Sequence, residues 1–169
     1  MTPGEFEFLK KFLKERSGLV LSNDKQYLVE SRLLPIARSS KLETLSAVIG
    51  VLQRGTNKAL ETDVVEAMTT NESFFFRDKT PFDHFNETML PALLEGRART
   101  RQIKIWCAAA STGQEPYSLG ICLKEAQSKV AGWRTRILGT DLSNEVLDKA
   151  KAGLYSQFEV QRGLPIQML

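Results

Sequence analysis

Between residues 103 and 153 two short apolar runs alternate with two helical ones, and this alternation restricts the fold more than any other feature of the sequence. Ile103-Lys-Ile-Trp-Cys-Ala108 is β-like and opens into small residues. Residues 115–126 carry helical spacing, and Arg136-Ile-Leu-Gly-Thr140 is a second apolar run that ends at Asp141. Ser143 is placed to cap a further helix, with Val146, Leu147 and Ala150 on one face and Gly153 at its end. Strand, helix, strand, helix is the pattern of a parallel α/β sheet. Such a sheet must be covered on both faces, and two strands make little of one. The apolar stretch Gly163-Leu-Pro-Ile-Gln-Met-Leu169 falls where more sheet is expected. The chain is therefore expected to be a piece of a longer protein, or to complete its sheet through self-association or a partner chain.

The first 68 residues read as helices alone. Thr2-Pro3-Gly4-Glu5 is a helix start, with Thr2 as cap, Pro3 in the first turn and Glu5 able to reach back to the cap. Phe6, Leu9 and Leu13 share a face, and Gly18 ends the helix. A second helix spans about Lys25 to Arg38, with a kink expected at Pro35. Leu45, Val48, Ile49 and Leu52 mark a third helix, and Leu60, Val64 and Met68 a fourth. The expected organisation is an all-α domain over 1–68, a connecting segment over 69–80 and an α/β domain over 81–169.

Composition removes several classes. With 42% apolar and 25% charged residues this is an ordinary globular chain. No apolar run approaches the roughly 20 residues of a membrane span, and no secretory leader is visible. Cys107 and Cys122 lie in apolar segments without a pairing pattern, which suits buried free thiols in a cytoplasmic protein. With a single histidine, His84, no metal site is expected. A net charge of +3 does not argue for nucleic acid. Its distribution is uneven: +4 over 1–60, −6 over 61–96 and +5 over 97–169. Either two functional units or plain solvated helix faces would produce that.

Three segments carry polar chemistry. In an open α/β sheet, ligands bind beyond the carboxyl ends of the strands. Ala108-Ala-Ala-Ser-Thr-Gly113 occupies that place, followed by a helix N-terminus. It is neither a phosphate loop nor a G-x-G-x-x-G fingerprint. Its small residues suit close approach of a nucleoside-type ligand, and equally close helix–strand packing. Asp141, 28 residues after Gly113, is placed to accept from ribose hydroxyls or to cap the next helix. Thr69-Thr-Asn-Glu-Ser-Phe-Phe-Phe-Arg-Asp78 sets Asn71, Ser73 and Arg77 beside three aromatics, which read as core; Arg77 could equally pair with Asp78.

Together, Thr70-Asn-Glu-Ser-Phe-Phe-Phe-Arg-Asp, Ile105-Trp-Cys-Ala-Ala-Ala-Ser-Thr-Gly-Gln-Glu-Pro-Tyr-Ser, Gly139-Thr-Asp-Leu-Ser and Val146-Leu-Asp-Lys-Ala-Lys-Ala-Gly-Leu-Tyr155 resemble the chemotaxis methyltransferases, the CheR family, in the family's order. The resemblance implies a Rossmann-like class I methyltransferase sheet, present here in part, behind an N-terminal all-α domain. It implies S-adenosylmethionine as methyl donor, S-adenosylhomocysteine as product, and glutamates on the cytoplasmic helices of methyl-accepting chemotaxis receptors as acceptors. By the same resemblance Asn71, Ser73, Arg77, Glu115 and Asp141 contact the cofactor. The resemblance also places Arg77 near the transferred methyl and implicates it in catalysis, and Arg32, Arg38 and Lys41 face the receptor. The family's further strands, an Arg-Asn segment, a tyrosine near the methyl and a small β insertion are not among these residues. The alternatives are a cofactor- or receptor-binding regulatory module without turnover, a methyltransferase for another substrate, and an unrelated nucleotide binder.

Overall fold

The computed structural model describes residues 1–168, with side chains described through Gln167. The chain divides into two compact units, Met1–Thr70 and the residues from Asn71 onward.

The first unit is four helices: α1 (Pro3–Ser17), α2 (Gln26–Ser39), α3 (Leu45–Arg54) and α4 (Lys58–Met68). Local chemistry sets their ends. Thr2 and Glu5 form a reciprocal capping box on α1, and Gly18 closes it in the left-handed region. Thr44 and Asn57 accept backbone N–H groups at the starts of α3 and α4, and Gly55 ends α3. Pro35 lies inside α2 without ending it. Apolar residues at helical spacing meet in one core that includes Leu9, Leu13, Val29, Leu33, Val48, Val64 and Met68. Glu61, almost fully buried, is held by Arg16 at 3.0 Å and Lys58 at 2.8 Å, which supplies the partners that a buried carboxylate requires.

The second unit opens with α5 (Thr80–His84), a π turn (Phe85–Met89) and α6 (Leu90–Gly96). This helical stretch is absent from the sequence reading. The π turn explains why. It inserts one residue into the helical period, so Leu90 is buried while Met89 is exposed, and a regular 3.6-residue count from Phe82 and Phe85 points to the wrong side chain. Strand β1 (Gln102–Ala108) leads to α7 (Gln114–Glu125), then β2 (Arg134–Thr140), α8 (Asn144–Ala152) and α9 (Gln157–Gln161). The two strands pair in parallel, from Gln102 opposite Arg134 to Ala108 opposite Thr140. Phe82, Phe85, Leu90, Ile103, Cys122 and Leu123 form the core under them. This is the expected all-α unit followed by a two-stranded portion of a Rossmann-like sheet.

Both cysteines are free and buried. Burial, with Glu115's hydrogen bond and charge adding to it, pushes the Cys107 thiol up to about 12, and burial likewise raises Cys122. Neither thiol should react with Ellman's reagent at pH 8 in the native protein, and both should in 8 M urea; a fast native reaction would place a thiol at the surface. Because the folded thiols hold their protons to higher pH than the unfolded ones, their contribution is complete below the unfolded value near pH 9. It declines as pH rises from there toward 12.

Candidate functional site

The bend between β1 and α7 is built from backbone that only a few residues tolerate. Ala109 and Ser111 both take positive φ, 60° and 50°, and Gly113 takes 97°. At Ala109 and Ser111 such conformations cost of order 1–3 kcal/mol each and persist only where surrounding contacts hold them, whereas glycine adopts them freely. Here the contacts are explicit. The Ser111 backbone N–H donates to Asp141 Oδ2 at 2.8 Å, and its hydroxyl donates to the Asn71 carbonyl at 2.7 Å. The Tyr155 hydroxyl donates to the Thr112 carbonyl at 2.6 Å. Asp141 accepts a second backbone N–H, from Ser143, at 3.0 Å, while the Ser143 hydroxyl caps α8. Asp141 thus joins the loop after β2 to the loop after β1, at the carboxyl ends of both strands.

Every residue of Glu115-Pro-Tyr-Ser118 bears on this neighbourhood. Glu115 lies exposed in the first turn of α7. Pro116 packs near Gly139, whose missing side chain also makes room for Ala110. The Tyr117 hydroxyl donates to the Ala150 carbonyl at 3.1 Å. Ser118, fully buried, donates to the Gln114 carbonyl and accepts the Phe76 backbone N–H at 2.9 Å. That last bond ties α7 to the segment carrying the aromatics.

In that segment Phe75 is buried against the edge of Tyr155, with ring centres 5.0 Å apart. Phe76 meets Phe82 edge-on at 5.1 Å. Two of the three phenylalanines therefore pack internally, while Phe74 is half-buried and faces two guanidinium groups, those of Arg77 and Arg162. Arg77 is exposed, and its Nη1 donates to the Glu72 carbonyl at 2.7 Å.

These pieces enclose a cleft of about 510 Å³. Phe82, Phe85, Ile105, Trp106 and Leu119 are among its apolar lining; Glu72, Ser73, Arg77, Asp78, Ser111 and Glu115 supply its polar groups. Apolar walls with a few convergent polar groups, at this size, are what a nucleoside-sized ligand needs. Its polar lining offers carboxylates and hydroxyls that can accept from ligand hydroxyls, and a guanidinium that can donate to an anionic group. Of the residues singled out in the sequence, Ser73, Arg77 and Glu115 line the cleft. Asn71 and Asp141 are not among its lining residues and reach it through Ser111, which each of them bonds.

Trp106 is not singled out by the sequence, and Ser111 only as one member of the small-residue bend. Trp106 projects 69% exposed from β1 and donates from Nε1 to Thr140 Oγ1 at 2.9 Å. A signal for it existed: in β1, Ile103, Ile105 and Cys107 alternate inward, so Trp106 falls on the face of Lys104, out of phase with the core. Ser111 had no such signal, since its partners lie 30 and 40 residues away.

In the first unit Arg38 and Lys41 are exposed. Arg32 is half-buried, and its Nη1 donates to the carbonyls of Met68 and Thr69, both at 2.9 Å, at the end of α4. Those are carbonyls that a helix C-terminus leaves without partners. Among the described residues, no helix is long and apolar enough to cross a membrane.

Comparison with known proteins gives matches over both units. Residues 4–69 match the family described as the CheR methyltransferase all-alpha domain, and residues 71–169 match the CheR methyltransferase SAM binding domain. A chemotaxis protein methyltransferase of Vibrio anguillarum is 43% identical over 162 residues, 95% of this chain and 58% of that protein. Chemotaxis protein methyltransferase 1 of Pseudomonas aeruginosa is 39% identical over 98% of this chain and 61% of its own length. The chemotaxis protein methyltransferase of Escherichia coli is 30% identical over 99% and 56%. The chain thus spans rather more than half the length of the curated relatives it matches.

Proposed function

This chain belongs to the CheR methyltransferase family, with S-adenosylmethionine as its cofactor, and on that premise we propose that it serves to methylate glutamate side chains of chemotaxis receptors. The observation that carries the proposal is the convergence of Ser73, Arg77 and Glu115 on one cleft whose floor is the Ser111 bend. The cofactor supplies a methyl group on a sulfonium, a good leaving group. An acceptor glutamate, with an ordinary pKa of about 4.3, is already ionised near neutral pH. That carboxylate oxygen would be the nucleophile, and the bound cofactor would supply the methyl carbon and keep the carbon–sulfur electron pair as a neutral sulfide. No proton moves, so no general base is needed.

What the chain's residues must do is hold and align. Glu115 and Ser73, which line the cleft, are assigned to binding the cofactor. Asn71 and Asp141 are assigned to cofactor binding, chiefly by holding Ser111. Arg77 steers the acceptor carboxylate through charge-assisted hydrogen bonds. Arg38 and Lys41 are assigned to an acidic face of the receptor helices. Arg32 joins them only with the donors that α4 leaves it.

Calorimetric titration with S-adenosylmethionine and with a receptor cytoplasmic fragment, followed by a radiolabelled methyl-transfer assay on the full chain, tests this reading. Arg77→Ala should lower turnover by about tenfold, the effect of a lost charge-assisted contact, and leave cofactor affinity within about twofold. Unchanged turnover removes Arg77 from the reaction. No saturable uptake of the cofactor by the unmodified protein ends the proposal. Binding of both ligands without methyl transfer would favour the regulatory-module alternative.

A further inference from the structure

Two cations lie over the Phe74 ring. The Arg162 guanidinium lies 4.7 Å from the ring centre and that of Arg77 lies 5.6 Å away. Glu72 engages both arginines through different atoms. Its side-chain Oε1 accepts from Arg162 Nη2 at 2.6 Å, while its backbone carbonyl accepts from Arg77 Nη1 at 2.7 Å. We propose that Arg162 is a positioning residue for Arg77: by occupying the Glu72 carboxylate, it leaves Arg77 held by the neutral Glu72 carbonyl and the Phe74 ring, in the lining of the cleft. This rests on the reading of Arg77 as the group that steers the acceptor carboxylate.

The alternative pairing shows why this matters. Glu72 and Arg77 are five residues apart on one short segment, and the Glu72 carboxylate is the nearest available partner for the Arg77 guanidinium. Were that pair to form, Arg77 would be neutralised and an incoming carboxylate would have to compete with a tethered one. Arg162 prevents this by taking Glu72 through a charge-assisted bond, made from 90 residues away. Glu72's acid strength records the arrangement. The hydrogen bond from Arg162, then the charges of Arg162 and Arg77, hold its carboxyl below the usual range.

The approach of Arg162 is itself fixed by its neighbours. A Cβ at Gly163 would fall 1.8 Å from the Phe75 carbonyl oxygen, so only glycine admits this contact. Tyr155 abuts the Phe75 ring from the same segment. Residues 155–163 therefore seat directly on residues 72–77. Arg162 is 43% exposed at its side chain, so burial does not account for its placement.

The test is a mutant set on the full chain, read by methyl transfer, by calorimetric cofactor affinity and by the thermal midpoint. Arg162→Ala should lower kcat by about fivefold to tenfold, with cofactor affinity and midpoint little changed, because it acts only through Arg77. Adding Glu72→Gln should recover much of that loss, since an amide cannot neutralise Arg77. In an Arg77→Ala background Arg162→Ala should have no further effect, the non-additivity expected of residues that act as one unit. An unchanged kcat, no recovery with Glu72→Gln, or an equal loss in the Arg77→Ala background would each overturn the proposal. If Arg162→Ala does not fold, Arg162→Gln is read in the same way. If the unmodified protein transfers no methyl group, the proposed function fails and the positioning role is read separately. ¹⁵N relaxation of the Arg77 side chain should then show its restraint change in Arg162→Ala, and identical relaxation overturns it.

Discussion

Gly113→Ala should destabilise the Asn71-onward unit by about 2–5 kcal/mol, a large part of the stability of an ordinary domain. Two costs combine. At φ 97° an L side chain is strained, by about 1–2 kcal/mol. The added Cβ would also meet Tyr155 Oη at 2.8 Å, Ala150 Cβ at 2.9 Å and Ala150 Cα at 3.1 Å. Tyr155 can swing away only by giving up its bond to Thr112, and Ala150 has no flexible end to move, so overpacking adds about 1–3 kcal/mol. Urea unfolding followed by tryptophan fluorescence checks this directly, because both tryptophans, Trp106 and Trp133, lie in that unit. Gly120→Ala is the control. Gly120 sits inside α7 with nothing within 4 Å of an added Cβ, and helix propensity favours alanine there by about 1 kcal/mol. A Gly113→Ala loss below about 1 kcal/mol would show that α8 can retreat from the bend at little cost.

Asp141→Ala should weaken S-adenosylmethionine binding by about thirtyfold to a hundredfold, an effect worth roughly 2–3 kcal/mol. The carboxylate accepts backbone N–H groups from Ser111 and Ser143, and hydrogen bonds to a charged group are the stronger kind. Without it, Ser111 loses one of the two bonds that hold its φ of 50°, and the bend has no reason to keep the shape of the cleft floor. Asp141→Asn is the informative companion. An amide oxygen can accept one of the two bonds, so its loss should fall between those of the unmodified protein and alanine. Calorimetry gives both affinities. Equal affinity for Asp141→Ala and the unmodified protein would mean that the other contacts of Ser111 suffice.

The two effects have one origin. The cleft is formed by loops that are unfavourable in isolation, and its shape is stored in bonds made across 30 to 43 residues of sequence. Function in such a site is sensitive to the residues that hold the bend, and Gly113, Asp141, Tyr155 and Ser118 are all of that kind.

The local architecture was legible in the sequence because its causes are local. The Thr2–Glu5 capping box, the caps at Ser143 and the stops at Gly18, Gly55 and Gly153 each follow from residues within a single turn. The parallel β-α-β order was readable from periodicity for the same reason. The π turn that brings Leu90 rather than Met89 inward was not, because one inserted residue shifts every later position of the period. Nor were the Ser111 hub, the place of Trp106 in the cleft wall, or the claim of Arg162 on Glu72. Those depend on which distant segments the closed chain brings together, and a side chain carries no mark of a partner 90 residues away. The residue types of the site were written in the sequence. Their assembly around one cleft, with Asn71 and Asp141 both bonded to Ser111, was decided by the tertiary contacts alone.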